Sequence, residues 1–220
     1  MDPSIIVSII GIETYYGKNT GSFKTLNAIG TLAFHYPTRA RFFQKELKSL
    51  FILCRKLHLN INTIRGSYAG ALGIPQFMPS SYLAYAKKHH QHSYPNLISN
   101  HKDAILSIAN YLKQHGWKRN EPIIAATLLK RQPSQNFYSK KPQKTVRWYK
   151  QHQVKIKTWL WPHSKVTLMK LDTRHADKYW LASGNYFAIM SYNPRMNYAM
   201  AVYQLSKKIQ GRYQHDSKRL

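Results

Sequence analysis

The chain has 220 residues, with 34 Lys+Arg against 8 Asp+Glu and a formal net charge of +26. At about 150 residues per domain, that length suits one large domain or one with a small appendage. Hydrophobic residues at 43%, aromatics at 13% and only ten glycines and ten prolines supply a core and exclude disorder, collagen and low-complexity arrays. The single cysteine, Cys54, lies in Phe51-Ile52-Leu53-Cys54 and reads as a buried thiol; it excludes a disulfide scaffold.

In chain order, Asp2 reads as a cap, Pro3 as the first helical residue, and Ile5, Ile6, Ile9 and Ile10 as the inner stripe of a helix ending near Gly17. A second helix is predicted from about Thr38 to Leu57, with Phe42, Phe43, Leu47, Leu50, Phe51, Cys54 and Leu57 inside and Lys/Arg outside. The segment Gly66 to Ser81 is too rich in small residues for an ordinary helix and too apolar for a solvated linker. It reads as a close-packed loop leading into a short helix, capped by Ser80 or Ser81 and running through Ala86. Asn100 is predicted to cap a further helix that stops at Gly116. Between them lies a polar loop, His89 to Asn100.

From Lys130 to Lys157 the sequence is basic, polar and the least periodic part of the chain, the best candidate for an insertion or mobile lobe. Val166–Leu171 alternates and, with Tyr179-Trp180-Leu181 and Tyr186–Met190, predicts two or three short strands. A last helix is expected over about Asn197 to Gln210, with Tyr198, Val202, Leu205 and Ile209 inward. The fold class expected is mainly α (α+β). No internal repeat is found, and no apolar run approaches the roughly 20 residues of a bilayer span. Met1-Asp2-Pro3 has no basic region of a signal peptide.

Glu13 falls three residues after Ile10, four after Ile9 and seven after Ile6, so it projects from the apolar face of its helix. A glutamate there is either a hydrogen-bonded structural residue or a general acid, because desolvation raises a carboxyl pKa toward neutrality.

At Gly11-Ile12-Glu13-Thr14-Tyr15-Tyr16-Gly17 and the long glycine-rich segment Gly66 to Ser81, the chain resembles the bacterial membrane-bound lytic murein transglycosylase B family. Tyr36-Pro37 with Arg39, Asn110-Tyr111 before His115-Gly116-Trp117, and Tyr192-Asn193 before Tyr198-Ala199-Met200-Ala201-Val202 extend the resemblance over nearly the whole chain in the family's order. It implies one lysozyme-like catalytic domain over residues 1–220, with a small β hairpin or sheet near its C-terminal part. The implied activity is cleavage of the β-1,4 bond between N-acetylmuramic acid and N-acetylglucosamine, giving 1,6-anhydromuramoyl ends. Ordinary glycosidases use two carboxylates, whereas a lytic transglycosylase is thought to need one.

By the same resemblance, Glu13 matches the acid/base, Ser67 the serine that hydrogen-bonds near it, and Gln76 the glutamine that faces a sugar's acetamido group. Tyr111, Tyr192, Asn193 and Tyr198 match groove-lining positions; core packing is the alternative for each tyrosine. Arg39 matches a family arginine, but Thr38 stands where a second basic residue is usual. Several members carry a calcium loop of Asp-x-Ser-x-Asp style, whereas this chain has Lys88-His89-His90-Gln91-His92-Ser93-Tyr94-Pro95-Asn96, without a carboxylate. No calcium site, no other metal and no cofactor are expected, the histidines being read as solvated rather than as a zinc or nickel site.

Members also have a long segment, with an export signal, before the catalytic glutamate, so the expectation is that this sequence is a piece of a longer protein of the periplasm or cell envelope, with membrane anchoring not visible in it. Peptidoglycan strands are the expected partner. The charge alone would also suit nucleic acid, but no nucleic-acid motif is present and none is expected as a partner. A catalytically silent murein binder and a water-using lysozyme are the remaining rivals.

Overall fold

The computed structural model describes residues 1–89, 94–171 and 178–217, which divide into two compact units, one from Asp2 to Tyr111 and one from Leu112 onward. The first begins as its sequence dictates. The Asp2 carboxylate accepts the Ser4 N–H at 2.9 Å, Pro3 opens helix α1 (Pro3–Thr14), and Ile5, Ile6, Ile9 and Ile10 are buried. The helix ends three residues short of Gly17, at a left-handed Tyr15. Next come β1 (Phe23–Lys24) and α2 (Thr25–His35), a helix the sequence did not signal: its cap position is Lys24, without a side-chain bond, and only Thr25, Ile29 and Ala33 are buried.

A 3-10 turn at Pro37–Arg39 precedes α3 (Ala40–Leu57), which packs against α2. The predicted helix is present but its inward face is rotated. Phe43, Glu46, Leu50, Leu53 and Cys54 are buried, whereas Phe42 and Phe51, expected inside, are exposed. Positions 43, 46, 50, 53 and 54 keep the three-and-four spacing of one helical face, and Phe42 and Phe51 lie to either side of it. Cys54 is buried and free, and burial pushes its thiol up from its ordinary value. Native protein is therefore expected to react with iodoacetamide about tenfold or more slowly than unfolded protein, measured by mass spectrometry of the adduct.

The strand β2 (Arg65–Gly66) pairs antiparallel with β1, and α4 (Pro79–Tyr85) and α5 (His101–Gln114) follow. Asn100 caps α5 as expected, its Oδ1 accepting the N–H groups of Lys102 and Asp103 at 2.9 and 3.3 Å. The predicted serine cap of α4 is corrected. Met78 holds the cap position, and Ser80 instead donates its N–H and hydroxyl to the buried Glu46 of α3, at 2.9 and 2.6 Å. A carboxylate from another helix does the capping.

The second unit is built on an antiparallel sheet in the order β4-β6-β7-β3-β5: β3 (Ile124–Leu128), β4 (Lys144–Thr145), β5 (Lys155–Ile156), β6 (Lys165–Leu171) and β7 (Lys178–Ser183). The stretch from Lys130 to Lys157 contributes β4, the short helix α6 (Val146–Gln151) and β5. It is tied down by Tyr149, which is buried, donates to the Phe137 carbonyl at 2.6 Å and accepts the Leu168 N–H at 3.2 Å. Ala125, Val146, Val154, Leu160, Val166, Leu168 and Leu181 complete that core.

The third predicted strand is corrected. Residues Gly184–Tyr192 form helix α7, started by Ser183, whose hydroxyl accepts the Asn185 N–H at 3.3 Å. Tyr186, Ala188 and Ile189 are all buried, and a short run apolar on every side carries no period that separates helix from strand. Helix α8 (Met196–Asp216) is longer than expected and buries Ala199, Met200, Val202 and Ser206; Tyr198, Leu205 and Ile209 are half-buried. Among the described residues no helix is long and apolar enough to cross a membrane. Among the described residues the architecture is mainly helical, with a two-stranded sheet in the first unit and a five-stranded one in the second.

Candidate active site

Glu13 stands on the last turn of α1, half-buried, one residue before the helix stops. What stops the helix is an unusual turn: Tyr15, Tyr16 and Gly17 are all left-handed, with φ of 49°, 61° and 86°. Two consecutive tyrosines in that region are strained, and strain of this kind concentrates at functional sites. The turn persists because Tyr15 and Tyr16 donate back to the Gly11 and Ile10 carbonyls at 3.0 and 3.3 Å. The Tyr16 ring then folds over the helix. A Cβ at Gly11 would lie 2.9 Å from it, so the first glycine of the motif is there to admit that ring.

Thr14 joins this helix end to the glycine-rich segment. Its buried Oγ1 lies 3.2 Å from the Ile10 carbonyl and 3.0 Å from the Ile74 carbonyl, and accepts the Gly17 N–H at 3.0 Å. Residue 13 is thereby carried beside the loop of residues 66–79. Thr14→Val keeps the shape and removes all three contacts. It is expected to destabilise the protein by about 1–2 kcal/mol in urea unfolding, with activity falling more than the lost stability explains.

The loop is rigid for reasons in its own sequence. Ser67 Oγ accepts the N–H groups of Ala69 and Ala71 at 3.3 and 3.0 Å. Leu72 and Phe77 exchange backbone bonds at 2.8 and 3.1 Å, and Ile74 donates to Leu97 at 2.9 Å. Gly73 has φ +65°, and a Cβ there would sit 2.2 Å from the Leu97 carbonyl oxygen, so only glycine fits. Gln76 is also left-handed, at φ 51°, and its Nε2 donates to Thr20 and Gly73 carbonyls at 3.0 and 2.9 Å. With both amide hydrogens used, its Oε1 is the acceptor that remains.

The structure places the other expected site residues as follows. Tyr111 is buried, with its ring 4.9 Å from Tyr85 and 5.5 Å from Phe77 between centroids; this is the core-packing geometry weighed for it above. Arg39 is exposed and lies 4.5 and 5.2 Å over the rings of Phe42 and Phe43. Tyr192, Asn193 and Tyr198 belong to the second unit, Asn193 ending α7. The rings of Tyr192 and Tyr198 are nearly parallel, at 9°, with centroids 6.4 Å apart.

The acidic residues of the first unit are Asp2, Glu13, Glu46 and Asp103. Asp2 caps α1, Glu46 takes Ser80, and Asp103, buried, accepts the N–H groups of His89 and Asn96 at 2.7 and 2.8 Å. Asp103 thus holds His89 and Asn96 to one carboxylate. The described residues do not fit calcium, since both Asp103 oxygens are occupied by amides and none of the loop's own residues is a carboxylate. His90, Gln91, His92 and Ser93 lie outside the described residues; among those described, no group of three His, Cys, Asp or Glu could hold a metal. Tyr82 braces the same region, donating to the Pro95 carbonyl and accepting the Leu97 N–H at 2.8 and 2.9 Å. Burial pushes its phenol up to about 12, so it stays a neutral donor.

The sequence did not single out Thr14, Glu46 or Asp103 as positioning residues. Thr14 was within the motif, but its partners are remote in sequence.

Residues 1–207 match the model of the transglycosylase SLT domain, and the chain belongs to that family. It is 35% identical over 207 residues to the membrane-bound lytic murein transglycosylase B of Escherichia coli K12, covering 94% of this chain and 56% of the relative, so it spans about half of that protein's length. The soluble lytic transglycosylase SltB1 of Pseudomonas aeruginosa superposes with a TM-score of 0.87 at 38% identity, over 96% of this chain and 71% of the other. SltB3 of the same organism, described in complex with NAG-NAM-pentapeptide, gives 0.84 at 25% identity, over 94% and 56%. The family expected from Gly11–Gly17 and Gly66–Ser81 is the one found.

Proposed function

We propose that the chain is a lytic transglycosylase that cleaves the β-1,4 bond between N-acetylmuramic acid and N-acetylglucosamine in peptidoglycan and leaves 1,6-anhydromuramoyl ends. The observation that carries this reading is the place of Glu13: it stands half-buried on a strained helix end that Thr14 fastens to the glycine-rich loop. The relatives named above, one described with a NAG-NAM-pentapeptide, support the same substrate.

The protonated Glu13 donates its proton to the bridging oxygen as the C1–O4 bond breaks. The 6-hydroxyl oxygen of the same muramic acid then bonds to C1, and the Glu13 carboxylate takes the hydroxyl proton. The glutamate ends as it began, no water is consumed, and the anhydro ring closes. In this reading Ser67, Gln76, Arg39, Tyr192, Asn193 and Tyr198 bind the glycan, Gln76 Oε1 accepting from an acetamido N–H, and Tyr111 supports the loop from below through Phe77. The protein acts in the periplasm or cell envelope, where its polymer is.

Mass spectrometry of the products released from sacculi tests this reading. Anhydromuramoyl ends are expected. Reducing-end muramic acid would mean a water-using lysozyme, and binding without release would mean a silent murein binder.

A further inference from the structure

Within the second unit, the sheet carries a cavity of about 570 Å³ at the β7-β3-β5 side. Three residues stand in a row across it. Trp180 of β7 is paired with Ala126 of β3, and Lys157, just past β5, donates its N–H to the Ala126 carbonyl at 2.8 Å. Ala126 has only a methyl group between two large neighbours, which leaves a hollow bounded by an indole on one side and an ammonium stem on the other. Lys178, Lys130 and Arg131 line the same cavity, and no acidic residue is among its described lining residues. Thr127, next to Ala126 in β3, turns its side chain to the opposite face of the sheet, that of the buried Ala125.

Four cations around one indole define a ligand with an apolar face and more than one negative charge. Arg131 can take a carboxylate bidentately, and the lysines act as point charges around it. A nucleic acid would be met by a groove of successive stacking rings, whereas this cavity, open to solvent, offers the indole of Trp180, and Tyr179, its neighbour in β7, packs against the core on the other face.

We propose that this hollow is a binding site for the carboxylate-bearing peptide stems of murein, with Trp180 covering an apolar part of the stem and Lys157, Lys178, Lys130 and Arg131 holding its carboxylates. The inference rests on the reading of murein as substrate. It gives part of the +26 net charge a local purpose: this side of the sheet grips peptide stems.

The test uses the full chain carrying Glu13→Gln, so that ligand is not consumed, with and without the added pair Lys157→Glu and Lys178→Glu. Affinities are measured for soluble glycan strands bearing peptide stems and for the same strands stripped by an amidase. The charge reversal is expected to weaken binding of stem-bearing strands about tenfold and to shift stem-free binding less than twofold. Equal losses on both ligands, or no loss on either, would overturn the proposal. Failure of the murein reading itself is scored separately, by the absence of anhydro products when the chain with Glu13 intact is given stem-free strands.

Discussion

Sacculi incubated with the Glu13→Gln protein are expected to stay polymeric, with anhydromuramoyl release down about 10²–10⁴-fold, the range a positioned acid/base contributes. Gln has nearly the same shape and can neither give up a proton to the bridging oxygen nor take one from the 6-hydroxyl. The change lies on the last turn of α1, beyond the Ile5–Ile10 core and next to the Thr14 contacts that fix the helix end. Stability is therefore expected to move by no more than about 0.5 kcal/mol, and retention on insoluble murein by less than twofold. Activity within tenfold of the parent would remove Glu13 from the mechanism. A parallel loss of murein retention would assign it to binding instead.

The largest stability effect is expected at a carboxylate that takes no part in the chemistry. Glu46 is buried on α3 and accepts both the N–H and the hydroxyl of Ser80. Glu46→Ala leaves two half-buried donors of the first turn of α4 without their acceptor and opens a hole between α3 and α4, which pack together. The expected cost is about 2–4 kcal/mol, seen as a fall in Tm of about 5–15 °C for a chain of this length. Glu46→Gln retains one acceptor oxygen and is expected to lose roughly half as much. Because α4 continues directly from the loop that carries Gln76, activity should fall with Glu46→Ala even at temperatures where the protein stays folded. A neutral Glu46→Ala in thermal unfolding would mean that Ser80 finds another acceptor or water.

The glycine-rich motifs were legible in the sequence because their cause is local. Gly11 admits the Tyr16 ring, and Tyr15 and Tyr16 fall back on carbonyls four to six residues earlier. Asp2, Pro3 and Asn100 announced the ends of α1 and α5 through bonds spanning two or three residues. The alternation of β6 was visible for the same reason. Elements whose stabilising partners are distant in the chain left no such trace. Helix α2 has no side-chain cap and owes its place to packing against α3; α7 is apolar on all sides; β3 is paired with β7, more than fifty residues later.

The sequence by itself determined the mainly helical class, the position of Glu13 on an apolar helix face, the rigid loop beside it and the buried state of Cys54. Each follows from hydrogen bonds, spacing or side-chain size within a few residues. The tertiary structure alone decided which face of α3 turns inward, that Glu46 rather than a serine caps α4, that Asp103 closes the loop from His89 to Asn96, and that Trp180, Ala126 and Lys157 stand side by side across three strands. Those outcomes depend on groups separated by 7 to 54 positions, which meet only when the chain has folded, so their pairing energies appear in no local pattern of residues.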